Sequence, residues 1–149
     1  MSTVLDLLDN VELEPLVLQL RPTVEITDDR FFEFCQRNDF WRIERTAQGD
    51  ILITPPAGGE TGSQNAELIT QLRSWAKRDK SGVAFDSNTG FKLPNQATRS
   101  PDAAWVHRTR LKPLTKEQKE KFIPLCPDFV IELRSPSDRL STLQDKMQE

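Results

Sequence analysis

Pro101-Asp102 and Glu132-Leu133-Arg134 are the two stretches whose residue types could cooperate in metal-assisted hydrolysis. Side chains alternate across a strand, so Glu132 and Arg134 are expected on one face of a strand running through Phe129-Val130-Ile131-Glu132-Leu133. A carboxylate there binds a hard cation while the neighbouring guanidinium meets a phosphate. An aspartate delivered by an adjacent strand, Asp102, completes a two-carboxylate site suited to phosphodiester hydrolysis. In such a site a metal polarises the phosphoryl oxygen and lowers the pKa of a bound water. The positive side chain then stabilises charge developing on phosphorus or positions the water.

Other candidates compete less well. Asp128, in a second Pro-Asp pair, shares a strand and face with Glu132, but four strand residues separate them by about 13 Å. Ligands of one magnesium each lie within about 2.1 Å of it, so Asp128 reads as a strand-start or turn residue. His107, the single histidine, falls by alternation on the face opposite Asp102. It is either a general base or an exposed strand-end residue, and it has no nucleophilic partner in sight. No serine sits in a nucleophile elbow, and Gly58-Gly59 lacks the Gly-Lys-Ser/Thr of a phosphate-binding loop. The donors are oxygens, and Cys35 and Cys126 have neither CxxC spacing nor histidine companions. Magnesium or manganese is therefore expected rather than zinc, and both cysteines read as small core residues of a protein in a reducing, cytoplasmic setting.

The elements that must position these residues follow from pattern. Residues 1–25, with Pro15 and Pro22, read as an N-terminal arm or edge strand, and residues 26–149 as one domain. Thr27 can cap a short helix through Phe31 and Cys35, with Asp28 and Asp29 suiting its dipole. Residues 41–46 and 51–54 alternate apolar and polar around Gln48-Gly49-Asp50, which predicts a hairpin. Ser63 to Lys80 is the strongest helix, with Leu68, Ile69, Leu72, Trp75 and Ala76 on one face and Gly82 as its stop. Short strands follow near residues 83–85 and 89–92, then one over residues 102–106. Thr115 with Gln118 makes a capping box for a helix over residues 115–122. Ser135-Pro136-Ser137 breaks the last strand, and a helix with the stripe Leu140, Leu143 and Met147 begins at Asp138. Its pattern runs to Glu149 without a stop signal, so a shortened domain without a final strand is expected.

The 149 residues suffice for one domain with a hydrophobic core. No apolar run approaches a membrane span, and no basic-then-apolar leader opens the chain. A formal charge of −3 does not suit a protein that coats DNA non-specifically, but a nuclease depends on the local field of one cleft. Two local basic clusters exist: Arg108, Arg110, Lys112, Lys116, Lys119 and Lys121, and then Arg73, Lys77, Arg78 and Lys80. Either could face DNA; either could equally be a solvated face or helix C-terminal charge.

Four stretches together resemble the bacterial Uma-type restriction-endonuclease family, a branch of the PD-(D/E)XK nuclease superfamily. They are Arg42-Ile43-Glu44-Arg45 with its hairpin, the Gly58-Gly59-Glu60-Thr61-Gly62 loop, residues 99–106 around Asp102, and residues 124–138 around Glu132. The resemblance implies an α/β (α+β), restriction-endonuclease-like three-layer core, a mixed central sheet flanked by helices. It implies a magnesium- or manganese-dependent DNA endonuclease, a homodimer, with Asp102 and Glu132 as metal ligands and Glu44 as an accessory acid. On residue pattern alone Glu44 is also readable as a surface carboxylate paired to Arg42 or Arg45.

Three departures from the family pattern bear on activity: the residues at 134 and 65, and a last core strand expected beyond residue 149. Arg134 stands where the superfamily usually has lysine and cannot act as a base. Lys146, on the following helix and about 60° from Leu143, fits the place of a substitute lysine, or else is a flank lysine that snorkels. Asn65 stands where many relatives carry histidine. A catalytically silent module that binds DNA or a protein partner on the same fold is the alternative function.

Overall fold

The protein is described by a computed structural model covering residues 15–135 and 138–149. The first fourteen residues of the expected arm, and Pro136 and Ser137 of the expected strand break, lie outside the described residues. Among the described residues eight strands form two sheets. The first holds β1 (Leu16–Leu18), β2 (Arg42–Arg45), β3 (Ile51–Thr54), β5 (Phe91–Lys92) and β6 (Thr98–Arg99) in the order β1-β3-β2-β6-β5. The second holds β4 (Gly82–Asp86), β7 (Ala103–His107) and β8 (Phe129–Ile131) in the order β4-β7-β8. The strand ladders are antiparallel, and the parallel component is an isolated bridge between Phe91 and Ile123.

The β2–β3 hairpin folds as its alternation requires, in the register Arg42↔Thr54 to Arg45↔Ile51. Gly49 supplies the positive φ of 93° that its turn needs, and Asp50 donates its N–H to Thr46 Oγ1. Helix α1 (Asp28–Arg37) begins at Thr27, whose hydroxyl accepts from the Arg30 N–H. It buries Phe31 against Ile43 and Ile51, which share one face of the β2–β3 hairpin.

Helix α2 (Gly59–Asp79) starts four residues earlier than its apolar stripe indicates, because extended Gly58 ends the loop and Glu60 favours the first turn. It packs on β4 and β7. Its stop differs from the expected one. Lys80, in the left-handed region at φ 65°, caps the helix by donating its N–H to Ala76 O. Gly82 instead lies inside β4, where a Cβ would fall 2.1 Å from the Trp105 ring. That glycine serves close packing of helix, strand and indole rather than termination. Short helices α3 (Arg108–Leu111) and α4 (Lys116–Glu120) follow β7, the second with the Thr115–Gln118 capping box, and α5 (Leu140–Gln148) comes last. No described helix is long and apolar enough to cross a membrane.

The main core gathers Phe91 from β5, Leu93 and Ala97 from the β5–β6 connection, Ala104 and Val106 from β7, and Ile123 and Leu125. By alternation Asp102 shares the face of Ala104 and Val106, and Glu44 points away from Ile43 and Phe31. Both acids are therefore carried on inward faces, at the polar end of the apolar layer.

The cysteines differ from the core pair expected. Cys126 is exposed, at a proline-bounded turn outside any strand or helix, while Cys35 is half-buried on α1. Burial pushes the Cys35 thiol up to about 12, against a smaller lowering by Arg45. The thiolate is the nucleophile, so iodoacetamide at pH 8 is expected to label Cys126 and leave Cys35 unmodified until the protein unfolds. Equal labelling of both in the native state, read by peptide mass spectrometry, would contradict the packing around α1.

Candidate active site

The β7–β8 ladder ends with Ala103 opposite Ile131. Continuing that register by one residue sets Asp102 against Glu132, so both acids emerge at one end of the second sheet. Asp102 is 7% exposed. Its Oδ2 accepts the Leu133 N–H at 2.7 Å and its Oδ1 accepts from Arg42 Nη1 at 2.8 Å. Arg42 lies on β2, so this ion pair ties the two sheets together.

Glu44, two residues along β2, is 4% exposed. Its Oε1 accepts the Ser100 N–H at 2.7 Å and meets Lys146 Nζ at 3.0 Å, while Arg99 Nη1 stands 3.9 Å from Oε2. The surface-carboxylate reading of Glu44 is excluded by this burial; alternation across β2 turns Arg45 to the opposite face, where it packs over Phe31 and pairs with Asp28. Lys146 Nζ also contacts Glu132 Oε1 at 2.7 Å, and the lysine side chain is only 13% exposed. It is a bridging cation, not a flank lysine. One turn along α5, Glu149 makes a bidentate pair with Arg99 at 2.6 and 2.7 Å.

The electrostatics confirm one shared neighbourhood. Burial raises the Glu132 carboxyl above its ordinary value; Lys146 opposes this, and Asp102 and Glu44 add to it. For Glu44, burial is also the largest influence and acts upward, but Lys146, the Ser100 N–H and Arg42 together hold it below the ordinary range. Arg42 loses from burial yet is kept charged by Glu44, Asp102 and Glu132. Its Nε is shielded from solvent without a hydrogen-bond partner among the described residues.

Arg134 is not brought into this cluster. The strand ends at Ile131, so alternation no longer governs residue 134. The guanidinium is exposed, donates through Nε to Asp138 O at 3.3 Å, and lies beside Glu60, Thr61 and Gln64 at the start of α2. Asn65 is half-buried on α2 with its Oδ1 unpartnered among the described residues. Asp128 sits at the far end of β8, accepting the His107 N–H and pairing with Arg110, which fits a strand-start role. His107 caps α3, its Nδ1 against Thr109. The two basic clusters meet at that same far end, where Arg108 Nε donates to Lys80 O, about 16 Å along β7 from Asp102. Of these, Arg110 is paired to Asp128, Lys116 to Glu120, and Lys121 to Asp29 and Glu117.

The residues absent from the sequence reading of the site are Arg42, Arg99 and Glu149. Two of them had a visible signal: Arg42 shares the Glu44 face of β2 at a spacing of two, and Glu149 stands one helical turn from Lys146.

Antiparallel sheets with helices, and acids carried by both sheets brought to one neighbourhood, are consistent with a restriction-endonuclease-like core. The chain belongs to the family described as "Uma2: Putative restriction endonuclease", whose sequence model matches residues 28–149. Among solved structures it is similar to the crystal structure of "a putative nuclease belonging to DUF820" from Anabaena variabilis, with a TM-score of 0.61 and 19% identity. That match covers 83% of this chain and 66% of the other, so the chain spans just under two thirds of its neighbour's length. No curated protein matches it.

Proposed function

We propose that the protein is a magnesium- or manganese-dependent DNA endonuclease, acting as a homodimer so that two sites address two strands. The observation that carries this reading is the meeting of Asp102, Glu132 and Glu44 with Lys146 at one end of the two sheets.

The donor chemistry fits a hard cation. Asp102 and Glu132 would hold it, with Glu44 as the accessory acid. Among the described residues no three His, Cys, Asp or Glu are arranged as a ready-made cage, and the Lys146 ammonium contacts both Glu44 and Glu132. Magnesium does not need such a cage, because it keeps several waters and takes one or two carboxylates plus substrate phosphates. When bound, the ion supplies a polarised phosphoryl oxygen and a more acidic water. The chain's own residues do the rest. Arg42 and the Leu133 N–H fix the Asp102 carboxylate in orientation. Glu44 and Glu132 hold the Lys146 ammonium at the site, where it can stabilise charge on the scissile phosphate. Arg134 is left to contact the DNA backbone from its exposed position.

Lys146→Ala should thus lower the single-turnover cleavage rate by at least about tenfold, whereas Arg134→Ala should mainly weaken DNA binding. Supercoiled plasmid incubated with Mg2+, with Mn2+ and with chelator tests the reading itself. Metal-dependent nicking or linearisation supports it. Saturable DNA binding without cleavage under every metal condition would favour the silent module, a reading to which the displaced Arg134 and the non-titrating Asn65 lend weight.

A further inference from the structure

The acid cluster arrives already neutralised, and unequally so. Asp102 is held by Arg42 through one oxygen and by a backbone N–H through the other. Each carboxylate oxygen has two lone pairs, so it retains room for a further ligand. Glu132 and Glu44 instead share the single ammonium of Lys146, at 2.7 and 3.0 Å. That ammonium holds Glu132 Oε1, an oxygen of one of the two carboxylates that would ligate the cation. Two positive charges about 4 Å apart repel by several kcal/mol even at an effective dielectric constant of about 20, so a cation on Glu132 weakens the hold of that carboxylate on Lys146.

The element that carries the lysine is suited to give way. Helix α5 buries no residue, and Leu140 and Met147 are 47% and 49% exposed. Its hold on the body includes the half-buried Leu143, the Lys146 contacts, and the Glu149–Arg99 pair one turn on. The ammonium can swing off Glu132 on its own flexible stem while Glu149 keeps the helix tethered.

We propose that Lys146 is the resident counter-ion of the site, and that a divalent cation binds by displacing its ammonium from Glu132. Metal binding and release of Lys146 toward the substrate phosphate are then one linked event. The inference rests on the reading of Asp102 and Glu132 as cation ligands. Linkage is reciprocal, so whatever Lys146 gains from Glu132 is lost to the metal. Removing its charge therefore tightens metal binding even as it slows cleavage.

The test is Mn2+ binding to the whole chain without DNA, followed by electron paramagnetic resonance. Lys146→Met is expected to bind Mn2+ about tenfold more tightly than wild type, Lys146→Arg no more tightly than wild type, and Asp102→Asn hardly at all. A second measurement needs no variant: amine-reactive labelling of Lys146 in the wild-type protein should rise several-fold on Mn2+ addition. Equal or weaker binding by Lys146→Met, with wild type still binding, overturns the inference and leaves the metal site standing. Unchanged Lys146 labelling at saturating Mn2+ overturns it likewise. Absence of saturable Mn2+ binding in both wild type and Lys146→Met overturns the inference together with the reading beneath it.

Discussion

Asp102→Asn is expected to reduce metal-dependent DNA cleavage by about a thousandfold or more, equivalent to roughly 4 kcal/mol of barrier. The substitution keeps the shape of the side chain and one carbonyl oxygen. What it removes is the charge, and with it one proposed ligand of the cation. It also places an amide donor against one of two existing donors, the Arg42 guanidinium or the Leu133 N–H. Some stability is therefore lost, and the rate must be read on protein shown to be folded by thermal denaturation. Single-turnover measurement with enzyme in excess separates the chemical step from weaker DNA binding. A folded Asp102→Asn protein that cleaves at the wild-type rate would remove Asp102 from the mechanism altogether.

Much of the frame was readable from the chain because it depends on local signals. The Gln48-Gly49-Asp50 turn, the Thr115–Gln118 capping box and the apolar face of α2 are each fixed by residues a few positions apart. The same holds for the face shared by Asp102, Ala104 and Val106. The misreadings share a different cause. Placing Arg134 beside Glu132 assumed that the strand continued, but pairing stops at Ile131, and alternation has no meaning beyond the last ladder residue. Reading Gly82 as a helix stop missed Trp105, twenty-three residues away, whose ring is what excludes a side chain there. The division into two sheets, and the Arg42–Asp102 pair across them, depend on which distant strands face one another. No short-range pattern encodes that. Lys146 lay between the two cases: its angle on α5 was readable, but the acids it would meet were not.

Glu44→Ala is expected to be among the most destabilising single changes, at roughly 3–5 kcal/mol, because it removes one partner from a buried charge network and leaves the others in place. The Ser100 N–H loses its acceptor, and Lys146 keeps only Glu132. Against a typical domain stability of about 5–15 kcal/mol, a fall in melting temperature of about 10 °C should result. Acid should reveal the same network. Glu44 is held below its ordinary value of 4.5 in the folded state, so its ionised form stabilises the fold. That contribution is complete above the unfolded-state value and is lost as pH falls through the depressed one. Glu132 works in the opposite sense. Its value is raised, so its contribution favours folding at low pH and is lost as pH rises through the raised value. Comparing wild type with Glu44→Gln removes the first effect and, because the Glu44 charge also pushes the Glu132 carboxyl up, lessens the second. In urea denaturation the wild-type advantage should hold steady above about pH 5 and shrink progressively below it. A gap that stays constant down to pH 3, or an Ala variant as stable as wild type, would mean that Glu44 is not ionised and paired in the folded protein, and the bridge to Lys146 would have to be abandoned.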